Sequence, residues 1–319
     1  MRLSSNSRPE CDPGAHLRAG VAPSCRAEAM PPASRRAQAR SAPKRTLSRR
    51  SFLALSALGT ASLLGASALG SCGGGAPEAE TTPSPEPAYV SPYDFTCLVS
   101  DERGRLSYRT PEGTVLSRCG IDVSEHQGAI DWAAVAADGI EFAFLRLGYR
   151  GATAGALNLD AQFAANLAGA LGCGIPTGVY FFSQAVNEAE AAEEAAFALS
   201  ALGATALSYP LVFDHEPVYG IDNPRANTIE HEVLTACART FCDAVAAAGY
   251  APMIYGNKRD IARYDREVLT GIPLWFAEYD EPAPTAQFDF SIWQYANSGS
   301  VAGISTAVDM NIDLSGALV

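Results

Sequence analysis

From Arg118 onward the chain alternates short apolar runs with Ala-rich amphipathic segments, and this alternation limits the possible fold more than any other feature. The runs are GIDV (120–123), FAFLRL (142–147), TGVYFF (177–182), PLVFD (210–214), PMIY (252–255), PLWFA (273–277), SIWQY (291–295) and AVDM (307–310), each with the length and composition of a buried strand. Five helical segments separate the first six: DWAAVAAD, NLDAQFAANLAGALG, NEAEAAEEAAFALSAL, residues 228–248 and NKRDIARYDREVL. Strand, helix, strand in succession builds a parallel sheet. Beyond the sixth strand only Pro-, Gly-, Ser- and Thr-rich turns connect the runs. Eight strands predict an α/β fold closed into a TIM-like barrel with an irregular last third, with an open doubly wound sheet as the alternative. The tract GCGIPTG (172–178) precedes its strand instead of following it, the wrong order for a dinucleotide-binding turn.

The fourth run ends in Asp214, His215 and Glu216, closed by Pro217. Side chains alternate along a strand, so Asp214 and Glu216 share one face, about 6.5 to 7 Å apart at Cα, while His215 takes the other as a packed residue. In a parallel barrel the C-terminal strand ends form the mouth where sites are built. Asp122, at the end of the first strand, and Asp309, at the end of the last, are expected at the same mouth. Acids so clustered repel, leaving one protonated near neutrality as a general acid requires, with a second carboxylate to manage positive charge at an anomeric carbon. Taken alone, Asp214 and Glu216 read as solvated turn residues, and it is the arrival of Asp122 and Asp309 at the same rim that reverses this reading. Tyr180, Trp275, Tyr279, Trp293 and Tyr295 are candidates to line a sugar-binding groove, two or three of them facing ligand and the rest in the core. Gln127, Gln294 and Asn311 are candidate hydrogen-bonding partners for a substrate.

The N-terminal quarter reads differently. Residues 1–72 hold 11 of the 23 Lys and Arg and 3 of the 35 Asp and Glu, leaving 12 against 32, or −20, for residues 73–319. So acidic a body, without a basic stripe, argues against nucleic acid or anionic lipid as its ligand. Residues 1–45 show no periodic pattern, with Met30 an alternative start. Residues 46–72 have the form of a twin-arginine export signal: Arg49 and Arg50 precede an uncharged stretch ending in LGSC, like a lipobox whose Cys72 would carry lipid. An uncleaved membrane anchor is the alternative. The expected location is the outer face of the cell membrane or the cell wall. Residues 73–92 read as a solvated tether, and residues 93–117 as a small hairpin with turn signals at ERG and PEG. Cys97 and Cys119 flank that hairpin and are the best-placed pair for a disulfide, whereas Cys237 and Cys242 read as core residues of a helix.

At GIDVSEHQGAIDW (120–132), GVYFFSQA (178–185), LVFDHE (211–216), PLWFAEY (273–279) and SIWQYANSGSVAGISTAVDMN (291–311), the chain resembles the glycoside hydrolase family 25 lysozymes, the Chalaropsis-type N-acetylmuramidases. The resemblance covers residues 118–319 and implies an irregular (β/α)5β3 barrel. It implies hydrolysis of the β-1,4 bond between N-acetylmuramic acid and N-acetylglucosamine in peptidoglycan, with Glu216 as catalytic acid, Asp214 as its partner, and Asp122 and Asp309 completing the groove. A substrate-assisted route is expected. Departures are the N-terminal hairpin and the YFF sequence at 180–182, where the family often has histidine or a second tyrosine.

Two rival readings come from other classes. A polysaccharide deacetylase needs paired histidine ligands, but His126, His215 and His231 have no metal-site spacing. A non-catalytic wall-binding lipoprotein on the same fold would not need four retained acids. No cofactor or metal is called for, and a monomer is expected.

Overall fold

A computed structural model describes residues 89–318. The expected N-terminal extension, the export signal with Arg49 and Arg50, the lipidation site Cys72 and most of the tether lie outside the described residues. Among the described residues no helix is long and apolar enough to cross a membrane.

Two short antiparallel strands come first, β1 (Leu98–Ser100) and β2 (Leu106–Tyr108). Their turn is organised by Asp101, whose side chain accepts the Arg103 and Arg105 amides, and by Gly104 at φ +76°. This hairpin packs on the outer wall of the barrel. Tyr93 donates to the Phe290 carbonyl, the Leu106 amide donates to Tyr295, and Arg103 and Arg105 both pair with Asp138. The expected disulfide is not formed: Cys97 and Cys119 are free thiols. Cys97 ends a 3-10 turn with its carbonyl taken by Arg109, whereas Cys119 sits on a barrel strand opposite Ile312, where burial pushes its thiol up to about 11.

The remaining strands are β3 (Arg118–Val123), β4 (Phe142–Arg150), β5 (Leu157–Leu159), β6 (Thr177–Phe182), β7 (Leu211–Asp214), β8 (Pro252–Asn257), β9 (Leu274–Ala277), β10 (Ile292–Gly299) and β11 (Val308–Asp313). Eight of them close a barrel in the order β3, β4, β6, β7, β8, β9, β10, β11 and back to β3, while β5 adds to the edge of β4. Pairings from β3 round to β10 are parallel, and β11 runs antiparallel to both neighbours. The helices α1 (Trp132–Ala137), α2 (Phe163–Gly172), α3 (Glu188–Leu202), α4 (His231–Ala247) and α5 (Lys258–Ile261) fall between the first six barrel strands, and none follows β9 before β11. This is the irregular TIM-like α/β barrel expected, and the open sheet is excluded.

Local chemistry sets the helix ends. Asp131 and Asn187 cap α1 and α3 through their side chains. In α3, Ala191, Ala195, Ala198 and Leu202 form one buried stripe, and α4 buries Leu234, Cys237, Ala238, Phe241, Cys242 and Val245, so both helical cysteines are core residues as expected. Two helices are shorter than their patterns predict. Residues 157–159 pair with β4, and Asp160 is drawn into an ion pair with Arg146 at 2.7 Å, so α2 starts only at Phe163. Asp265 accepts the Glu267 amide and its own amide goes to Thr235, which breaks the 257–269 pattern after one turn.

Strand alternation sorts the apolar residues into two layers. Leu211 and Phe213 of β7 face the helices, whereas Val212 joins Phe142, Phe144, Tyr180, Met253, Tyr255, Trp275 and Ile292 inside the barrel. The interior is filled, as small barrels require. Gly120 and Gly178 make room for this: a Cβ there would lie 2.3 Å from the Phe142 ring and 2.4 Å from the Phe144 ring.

Candidate active site at the barrel mouth

Asp122 and Asp309 are register partners on β3 and β11. The expectation placed Asp309 at the end of its strand, but β11 is antiparallel and runs from Val308 to Asp313, so Asp309 reaches the mouth from the strand's beginning. An antiparallel strand delivers its N-terminal end where parallel neighbours deliver their C-terminal ends.

Asp122 is buried, and its Oδ2 accepts Nε2 of Gln294 at 2.6 Å and Nδ2 of Asn311 at 2.9 Å. Gln294 Nε2 also lies 3.4 Å from Oδ2 of Asp309. The amide of Gln294 is oriented by two phenols: its Oε1 accepts Tyr255 at 2.7 Å and Tyr279 at 2.6 Å, which turns the N–H side to the acids. Asn311 is fixed in the same way, its Oδ1 accepting Nε1 of Trp275 at 2.8 Å. Four of the expected hydrogen-bonding and aromatic residues, Gln294, Asn311, Trp275 and Tyr279, thus hold Asp122 directly or through one partner.

Asp214 ends β7 on the inward face, beside Tyr255 of β8 in register, and Glu216 follows half-buried. His215 turns outward as expected: it is fully buried, its ring lies over Phe213 at 6.2 Å, and burial, then the Arg263 charge, pushes it down to about 4. The acids act on both phenols. Burial raises Tyr255 well above the ordinary phenol range, with Tyr279, Glu216, Asp214 and Asp122 adding to the effect. Burial likewise raises Tyr279, and Asp309, Asp122 and Glu216 push the same way. Both phenols keep their protons and serve as donors to Gln294.

Tyr180 stands edge-on to Trp275 at 6.0 Å, and Trp275 stacks on Phe144 at 4.5 Å, forming the floor beneath the acids. Tyr279 is half-buried at the rim. Gln127 accepts the Ser124 amide and donates to the Ala307 carbonyl at 3.3 Å, bracing the β3 exit against the approach to β11. Trp293 and Tyr295 are not brought to the mouth. Ile292 and Gln294 occupy the inward positions of β10, so Trp293 and Tyr295, which alternate with them, join the outer layer, Trp293 donating to the Glu278 carbonyl at 2.9 Å. Sequence reasoning missed Tyr255, although it ends PMIY level with Asp214. It also missed Gln184, whose amide donates to the Glu216 carbonyl at 2.8 Å.

Among the described residues no group of three or more His, Cys, Asp or Glu is arranged to hold a metal ion. A cavity of about 440 Å³ lies at the opposite end of the barrel, lined by Arg118, Glu141, Ser208 and Tyr209 among others, and none of the four acids reaches it.

Comparison with known proteins places this geometry. The sequence profile described as Glycosyl hydrolases family 25 matches residues 121–304, a span that contains Asp122, Asp214 and Glu216 and stops just short of Asp309. Lysozyme M1 of Streptomyces globisporus is 30% identical over 206 residues, covering 60% of this chain and 66% of that protein. The autolytic lysozyme of Clostridium acetobutylicum is 28% identical over 202 residues, covering 63% of this chain and 57% of its own. The chain therefore spans somewhat less than two thirds of these relatives. A bacterial lysozyme structure from Streptomyces coelicolor superposes with a TM-score of 0.52 at 24% identity, covering 63% of this chain and 98% of that one. With its barrel of the same fold and more than half its length matched by the family profile, the chain belongs to glycosyl hydrolase family 25.

Proposed function

We propose that this protein is a peptidoglycan hydrolase, an N-acetylmuramidase that cleaves the β-1,4 bond between N-acetylmuramic acid and N-acetylglucosamine. The observation that carries the reading is the meeting of Asp122, Asp214, Glu216 and Asp309 around Tyr255 and Tyr279, in a chain whose curated relatives include two lysozymes. Glu216 is the general acid, half-buried at the mouth. It protonates the leaving glycosidic oxygen as positive charge develops at the anomeric carbon. Asp214 orients the acetamido group of the muramic residue, whose carbonyl oxygen attacks that carbon and forms a cyclic oxazolinium ion. Water, deprotonated by Glu216, then opens the ring with net retention. Asp122, held by Gln294 and Asn311, adds fixed negative potential where the positive charge grows.

Digestion of defined peptidoglycan by the native protein and by Glu216→Gln tests this. Muramic acid reducing ends from the native protein are expected, with release about a hundred- to ten-thousandfold slower in the variant. Glucosamine ends would redirect the assignment to another glycosidase. No release by folded protein would turn it toward a wall-binding role. NMR of the first-formed anomer tests the route, and an inverted product rules out substrate assistance.

We also propose export through the twin-arginine signal and anchoring by lipid on Cys72. Mass spectrometry of the mature N terminus checks this, and a Cys72→Ala chain that stays with the membrane fraction would overturn it.

A further inference from the structure

We infer that Gln184 is a positioning residue for Glu216, its side-chain amide replacing a missing rung of the β6 and β7 ladder and fixing the backbone that carries the acid. The inference rests on the reading of Glu216 as general acid. The parallel pairing of β6 with β7 ends at Phe182 opposite Asp214. The Ser183 amide makes one further bond, to the Asp214 carbonyl at 2.7 Å. After that the chain leaves the sheet toward Pro217, and the main chain of Glu216 has passed the end of its strand. Gln184 reaches across this gap. Its Nε2 donates to the Glu216 carbonyl at 2.8 Å and to the Ser183 carbonyl at 2.8 Å.

Gln184 is itself held on two sides and is fully buried. Its main-chain N–H points to Oε1 of Glu194 at 3.3 Å, and its main-chain carbonyl accepts Nη1 of Arg225 at 3.1 Å. Glu194, fully buried on α3, pairs with Nε of Arg150 at 2.7 Å. Arg150 also donates to the carbonyls of Gly155 and Glu190, and Arg225 grips the Glu190 carboxylate at 2.6 and 2.7 Å. Four side chains, Glu194, Arg150, Arg225 and Glu190, thus fix the main chain of one glutamine whose side chain touches the catalytic segment only through a backbone carbonyl. A buried ionic network is a poor source of net stability but a good source of fixed geometry, and a general acid must lie within hydrogen-bond reach of the oxygen it protonates. Misplacement by about 1 Å costs on the order of a hundredfold in rate.

The experiment compares the full-length chain with Gln184→Met, which keeps the length and loses the donor, and Gln184→Glu, which sets an oxygen against the Glu216 carbonyl. Glu216→Gln is run beside them. The expected result is a fall in kcat of about ten- to a hundredfold with KM within about threefold, and a displaced basic limb in the pH profile of kcat/KM, which reports the acid. Unchanged kcat and pH profile in Gln184→Met, with Glu216→Gln inactive, would overturn the positioning role alone. An active Glu216→Gln would instead remove the reading beneath it. If both Gln184 variants fail to fold, Arg225→Met decides, since Arg225 is partly exposed and its loss frees the main-chain carbonyl that anchors the same glutamine. A smaller fall in kcat with the same displacement supports the role, and a native profile overturns it.

Discussion

The helix-backed wall from β3 to β9 and the helix-free closure of β10 and β11 contribute different things to one site. The first supplies Asp122, Asp214 and Glu216 at parallel strand ends or just beyond them, each strand set by a crossover behind it. The second supplies Gln294 and Asn311, the two amides on Asp122, together with Asp309. One region brings three of the four candidate acids, and the other brings the fourth together with the amides that hold Asp122. Closure without helices suits that task, because an antiparallel strand places residues by direct pairing with both neighbours, and the register shifts along β10 adjust which side chains face inward.

The largest effect that would break this division is expected at Gln294. Its amide takes one buried and one half-buried phenol on oxygen and gives N–H bonds to the acids. Gln294→Leu keeps the volume but strands all of them, and a buried polar group left without a partner costs about 1 to 3 kcal/mol. Urea unfolding is expected to show a loss of about 3 to 5 kcal/mol, with activity reduced at least as far as by loss of a positioning contact. A variant of native stability and activity would mean that the closure strands only complete the barrel.

A somewhat smaller effect belongs to the helix-backed side, at the residue between the two carboxylates. His215 is held down to about 4, against 6.5 for the free side chain, chiefly by burial. The unfolded chain takes up the proton first as pH falls, so the stability contribution is complete above pH 6.5 and is lost on descending from 6.5 toward 4. The size is on the order of 3 kcal/mol at the acid end. His215→Phe, which preserves the ring over Phe213, is expected to flatten that part of the stability curve without changing it near pH 8. An equally steep loss in the variant would assign acid sensitivity to other groups.

How much of this was legible in the sequence also divides between the two regions. Residues 177–182 form β6 as their pattern indicates, and the parity of Asp214, His215 and Glu216 follows from strand geometry alone. In β10 the same rule was silent, because SIWQY is apolar or aromatic on both faces and period two does not say which face is inside. The direction of β11 was likewise hidden, since a turn of Gly, Ser and Thr permits either orientation of the strand it feeds. The three-residue β5 was too short to register, and the end of α5 depended on a Thr235 hydroxyl far along the chain. Gln184 had no local signal at all: its role is a contact between two strand exits more than 30 residues apart.

The smallest effect sharpens the comparison within the aromatic residues. Trp275 and Trp293 lie one register position apart on adjacent strands, both essentially fully buried, yet one faces the barrel interior and the other the outer layer. Each donates one indole hydrogen bond, Trp275 to the Asn311 side chain and Trp293 to the Glu278 carbonyl. Replacing either by Phe removes that bond and some contact area, so both variants are expected to lose about 1 to 2 kcal/mol of stability. Catalysis separates them. Trp275→Phe frees the Asn311 amide that holds Asp122, and kcat is expected to fall by about tenfold. Trp293→Phe is expected to leave kcat and KM within about twofold of native, since a ring on the outer face meets no sugar and orients no acid. A rise in KM for Trp293→Phe alone would place that indole in the groove and reverse the inward and outward assignment of β10.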